Sequence, residues 1–159
     1  VRRAGEVIPE VVGVAPGTRS GAQRPFVFPA YCPACSWPLA RTGGDSGATL
    51  WRCMNVSCTA RVVAAVLHFA SRKAMNIDGL GDAVAGQLVE AGYIRDVSDL
   101  YCLSKETIMG LERSGERSAQ KLLDNITKSL NRSLSRLIYG LGIPNVGEST
   151  AKAFADKLR

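Results

Sequence analysis

Four cysteines in two close pairs constrain this chain more than any other feature in it. "CPAC" supplies Cys32 and Cys35 and "CMNVSC" supplies Cys53 and Cys58, so the spacing is C-x2-C, seventeen residues, C-x4-C. Each pair fits one tight turn. Two such turns bring four thiolates to the corners of a tetrahedron, the arrangement in which Zn2+ is held at ~2.3 Å from sulfur. With every corner filled by protein, no position is open to water, and the expected ion is structural rather than catalytic. Two disulfides are the competing use of the same residues. No basic-then-apolar signal segment opens the chain, and the reducing compartment expected on that basis disfavours them. Trp37 and Trp51 flank the pairs and are expected to cover the site. Cys102, in "DLYCLS", has no partner at ligand spacing and reads as a small buried apolar residue. His68 reads as part of a helix with polar groups on one side rather than as a rival ligand.

A second feature recurs. "NIDGLG" ends at Gly81, "LERSG" at Gly115 and "IPNVG" at Gly147, steps of 34 and 32 residues. Small and polar residues follow each glycine and lead into an apolar pattern of helical period. Val84, Leu88 and Ala91 form one such face. Ala119, Leu122, Leu123, Ile126 and Leu130 form the next, and Ala151, Phe154, Ala155 and Leu158 the third. The predicted unit is helix, short glycine turn, helix. Two positions before the last glycine stand Gly79, Arg113 and Asn145, and Asn tolerates the left-handed dihedrals glycine adopts freely. Backbone N–H groups at such a turn can face an anion, and three copies in register make a purely structural turn the weaker reading.

The rest of the chain is bounded by texture and charge. "VRRAGEVIPEVVGV" reads as strand, too little to close a sheet or barrel, and "APGTRSGAQRP" as a connector. Three segments are expected: 1–29, 30–60 around the cysteines, and 61–159, mainly α. The formal charge of +6 suits an acidic partner such as nucleic acid. Arg72 and Lys73 precede the first turn, and Arg113, Arg117 and Lys121 surround the second, where cations suit backbone phosphates. Arg132 and Arg136 read as solvated surface. No apolar run approaches the ~18 residues of a membrane span. The chain begins at Val1 and ends in helical pattern, so both ends read as cut.

The cysteine module, "HFASRKAMNIDGLG", "LERSGERSAQKLL" and "LGIPNVGESTA", in that order, resemble the middle and later part of bacterial NAD-dependent DNA ligase. "VRRAGEVIPEVV" resembles the end of that family's OB-fold. The resemblance covers essentially the whole chain. It implies a helix-hairpin-helix DNA-binding domain preceded by a zinc finger and an OB-fold remnant. It further implies turn amides, at Gly79, Gly81, Gly115 and Gly147, that hold the phosphates of nicked duplex DNA in replication and repair. The parent would be a cytoplasmic monomer that seals nicks with NAD and Mg2+ through an adenylated lysine in K-x-D-G. None of Lys73, Lys105, Lys121, Lys128, Lys152 or Lys157 precedes x-D-G, so no catalytic residue is expected here. Two alternatives remain at this point: a non-catalytic hairpin module that tethers another repair enzyme, and a zinc-dependent protein-interaction scaffold.

Overall fold

The computed structural model describes residues 1–5, 7–15, 17, 21–42 and 50–158 of the 159-residue chain. Glu6 of the expected strand, and Pro16, Thr18, Arg19 and Ser20 of the expected connector, lie outside the described residues. At the N-terminus β1 (Arg2–Ala4) pairs antiparallel with β2 (Ile8–Glu10), Arg2 opposite Glu10, and the two side chains meet at 2.9 Å. The strand expected through Val14 stops at Glu10. Val11, Val12 and Val14 are exposed, and the described residues offer no further strand for them to pair with. A second hairpin, β3 (Leu39–Thr42) with β4 (Leu50–Cys53), sets Leu39 opposite Cys53.

Helices form the remainder: α1 (Thr59–Ala70), α2 (Asp82–Glu90), a 3-10 helix (Val97–Cys102), α3 (Lys105–Met109), α4 (Glu116–Ser129), α5 (Leu134–Gly140) and α6 (Glu148–Lys157). The expected boundary after residue 60 falls inside α1, whose N-cap is Cys58, so the cysteine module runs into the helical half without a linker. α2, α4 and α6 begin directly after Gly81, Gly115 and Gly147. Their first residues are Asp82, Glu116 and Glu148, acids that complement the positive end of the helix dipole. Past the end of α2 at Glu90, Gly92 with φ of 75° lets the chain reverse in the left-handed region. Asp96 and Asp99 close a reciprocal cap on the 3-10 helix, and the Ser104 hydroxyl accepts the Thr107 N–H to start α3.

The core lies between α1, α2, α3 and α4. Val66, Phe69, Leu88, Ile94, Leu100, Ile108, Leu122 and Ile126 are its buried side chains. Five residues expected to be buried are exposed. Leu130 is 65% exposed, because α4 ends before it and the buried place goes to Ser129. The Ser129 hydroxyl donates to Ile126 O at 2.6 Å and meets the Tyr101 hydroxyl at 2.9 Å, so a polar group can sit there. Ala91, Phe154 and Leu158 are likewise exposed; α2 buries Leu88 as expected, with Ala85 and Val89 beside it. Cys102 is exposed rather than buried. It belongs to a 3-10 helix, where the inward row repeats every third residue through Val97, Leu100 and Leu103.

Candidate metal centre and nucleic-acid interface

The first cysteine pair lies on a turn closed by Ser36 N–H to Cys32 O and Cys32 N–H to Trp37 O, both 2.8 Å, with Ser36 at φ 55°. β3 and β4 then carry the chain out and back to Cys53. The second pair closes through Asn55, whose side chain accepts the Ser57 N–H at 3.0 Å and whose carbonyl accepts the Cys58 N–H at 3.2 Å. All four Sγ atoms lie within 4.8 Å of one another, Cys32 to Cys58 at 3.9 Å and Cys35 to Cys53 at 3.6 Å. Sulfurs ~2.3 Å from a common centre in a tetrahedron stand roughly 3.8 Å apart, so the cage fits one four-coordinate ion. At these separations the cysteines are free thiols, not disulfides.

Cys32 and Cys58 are buried, and ionising four adjacent thiols without a cation is unfavourable. The Trp37 backbone and then the Asn55 side chain favour the Cys35 thiolate, lowering its pKa to about 6. Desolvation pushes Cys53 up to about 12, so the two neighbouring thiols are shifted in opposite directions. A bound cation removes that conflict by holding all four as thiolates. Trp37 and Trp51 do not seal the site as expected: they are 52% and 39% exposed, and Trp51 stacks on Phe28 at 5.9 Å. His68 stands in α1, away from the cage, with Nε2 2.9 Å from the Tyr139 carbonyl oxygen.

The three glycine turns share one backbone. Gly79, Arg113 and Asn145 have φ of 96°, 59° and 64°, the left-handed conformation that only the first and third of these residue types adopt readily. Gly81, Gly115 and Gly147 cap their helices with extended backbones, φ near −95°, −104° and −82°. Any residue adopts those dihedrals, and a Cβ added at any of the three would meet nothing within 4 Å. The fold therefore does not require glycine there. Gly81 and Gly147 N–H have no partner among the described residues, whereas the Gly115 N–H donates to the Ser118 hydroxyl at 2.9 Å.

The cations differ in state. Arg113, Arg117 and Lys121, spaced four apart from the second turn along α4, are exposed and unpaired among the described residues. Lys73 pairs with Glu148 at 2.6 Å, which raises its pKa, and so bridges the first and third turns. The Arg72 side chain is exposed, while its carbonyl is held from α5. Four positioning side chains escaped the sequence reading. Asn125 of α4 donates to Asp78 O at 2.9 Å, and Gln87 of α2 accepts the Glu112 N–H at 2.6 Å. Asp78 and Glu112 both stand three residues before their capping glycine, so each of these two turns is pinned by the other unit's helix. Arg132 is exposed, as expected of solvated surface, and Arg136 is half-buried, yet both hold backbone: they donate to Met75 O at 3.2 Å and to Ala74 O at 2.6 Å. Only their i, i+4 spacing hinted at a shared target.

Fold and site together define a helical chain of three glycine-turn units, preceded by a cluster of four cysteines that could hold a metal ion. Along nearly its whole length this chain matches a segment of bacterial DNA ligases. It is 50% identical over 98% of its residues to a DNA ligase of Carboxydothermus hydrogenoformans. It is 48% identical over 99% to one of Desulfitobacterium hafniense, and 47% over 98% to one of Halalkalibacterium halodurans. The chain spans 23% of the length of each of these curated relatives. No protein-family model matches it. No helix among the described residues is long and apolar enough to cross a membrane.

Proposed function

We propose that this chain is the duplex-gripping part of an NAD-dependent DNA ligase, its three units acting as helix-hairpin-helix elements on the phosphates of nicked DNA. One observation carries the reading. Glycine stands at three helix caps where neither dihedral nor internal space calls for it, and where Ser, Thr, Asp or Asn would cap better. A side chain at those places would obstruct only something that approaches from outside, and backbone N–H groups at helix N-termini suit phosphate oxygens. The unpaired row of Arg113, Arg117 and Lys121 supports the same partner.

In this reading residues 1–29 end an OB-fold, 30–60 form a zinc finger and 61–159 the hairpin domain. Cys32, Cys35, Cys53 and Cys58 hold one structural Zn2+, whose charge lets four thiolates coexist and locks β4 to the start of α1. Phosphate contacts carry position, not sequence, so the grip reads the shape of the duplex. Adenylation from NAD and the Mg2+-assisted joining steps belong to other parts of the parent enzyme. Fluorescence anisotropy against nicked duplex, intact duplex and single strand over a salt series tests the proposal. Duplex binding that falls steeply with salt is expected. No binding by a folded, zinc-loaded sample would favour the scaffold alternative.

A further inference from the structure

The last helical unit holds the first glycine turn from behind. Past the end of α1 the chain winds back, Met75 N–H bonding Phe69 O at 3.0 Å and Ile77 N–H bonding Ala70 O at 2.9 Å. The carbonyls of Arg72, Ala74 and Met75 face α5. Arg136 donates Nε to Ala74 O at 2.6 Å and Nη2 to Arg72 O, while Arg132, just before α5, donates Nε to Met75 O at 3.2 Å. A separate contact shows how closely the two elements fit. A Cβ on Gly140 of α5 would stand 3.2 Å from Phe69 Cδ2 and 3.3 Å from Ala74 Cβ, tighter than a methyl group accepts without displacement.

We infer that Arg132 and Arg136 are positioning residues of the first turn: they fix the run from Arg72 to Met75 and thereby set where Gly79 and Gly81 stand, without touching DNA. The planar guanidinium presents Nε and Nη2 as a rigid fork, and on Arg136 that fork spans two carbonyls from two separate nitrogens, where a lysine has a single nitrogen on a flexible stem. Four of the chain's elements separate these arginines in sequence from the carbonyls they hold, so the third unit contributes to the grip of the first.

Two measurements on the 159-residue chain decide it, and only the second rests on the proposed function. Without DNA, Arg136→Gln is expected to raise hydrogen exchange of the Met75 and Ile77 amides at least ~10-fold while α4 stays protected. Unchanged exchange at those two amides overturns the inference. Arg136→Lys should loosen them too, and full protection by lysine would remove the fork from the account. If either variant fails to fold, Arg132→Gln, which removes one bond, gives the same comparison at Met75. With nicked duplex, Arg136→Gln should lower affinity at an unchanged salt slope. A slope smaller by ~0.9 would make Arg136 a phosphate contact and overturn the positioning role. If the parent chain binds no duplex, the proposed function fails, and the exchange result alone decides the inference.

Discussion

Gly81→Ser separates what the fold wants from what a partner wants. In the fold, serine at this cap should help. Its hydroxyl can accept an N–H of the first turn of α2, worth a few tenths of a kcal/mol over glycine (~0.3). Restricting the unfolded chain adds ~0.4–1 kcal/mol, because the native φ of −95° suits any residue. No steric charge offsets this, since a Cβ there meets nothing within 4 Å. The sum, about 1 kcal/mol of added stability, corresponds to ~2–4 °C in Tm for a chain of this size. For DNA the sign reverses. The new side chain stands beside the Gly81 N–H, which has no partner among the described residues, and losing a charge-assisted hydrogen bond of ~1.5–3 kcal/mol would weaken binding ~10- to 150-fold. Urea denaturation followed by circular dichroism gives the first quantity and anisotropy on nicked duplex the second. A variant that is stabilised yet binds as tightly as the parent would refute the assignment of Gly81 to a phosphate. A destabilised variant would show that the open space before Gly81 has been misjudged.

Other consequences can be checked separately. Lys121→Gln removes an unpaired cation and should reduce the salt slope of duplex binding by ~0.9, with Tm nearly unchanged; an unaltered slope would place Lys121 away from phosphates. Cys53→Ser should abolish stoichiometric metal binding and shift tryptophan emission, because Trp51 lies two residues back on β4 and stacks on Phe28; retained metal and an unchanged spectrum would contradict the cage. Phe69→Ala, at a site 2% exposed, should lower stability by ~3–5 kcal/mol in urea melts. The N–H groups of Arg95 and then Asp96 hold the Asp99 carboxyl below its ordinary value of 3.8. Its stabilising contribution is therefore present above that value and lost as pH falls through the lower folded one. Asp99→Asn should flatten that acid limb of the stability curve and leave neutral-to-alkaline pH dependence alone.

What the sequence disclosed was local chemistry. The cysteine pairs announce their cage because each turn is complete within a few residues. The left-handed position of the turn is legible at Gly79 and Asn145, whose residue types favour it, but not at Arg113, whose type does not. Only alignment on the following glycine exposes the equivalence. Features that depend on distant partners were hidden. Ser129 displaces Leu130 from the core because Tyr101, 28 residues upstream, offers its hydroxyl a partner. Cys102 turns outward because the inward row on that segment has period three rather than 3.6. Arg132 and Arg136 resemble any exposed basic pair until α5 is laid against the end of α1, 57 to 64 residues away in sequence.

The geometry of α1 connects these parts. At one end Cys58 is at once a cage thiol and the helix N-cap; at the other the chain turns directly into the Arg72–Met75 run held by Arg132 and Arg136. Twelve residues at ~1.5 Å each make α1 a rod of roughly 18 Å. Its buried face, Val62, Val66 and Phe69, packs into the common core and resists rotation about its axis. Fixing both ends and one face leaves the first turn little freedom to move relative to the metal cage. Neither anchor alone achieves that: the cage fixes where α1 starts, and the arginine fork fixes how the chain leaves it. For a partner as regular as duplex DNA the distance between such anchors matters, because successive phosphates on one strand recur at fixed intervals and contacts pay off only in register. In the proposed reading, an ion held by the four cysteines would act on binding through the rod that Cys58 begins.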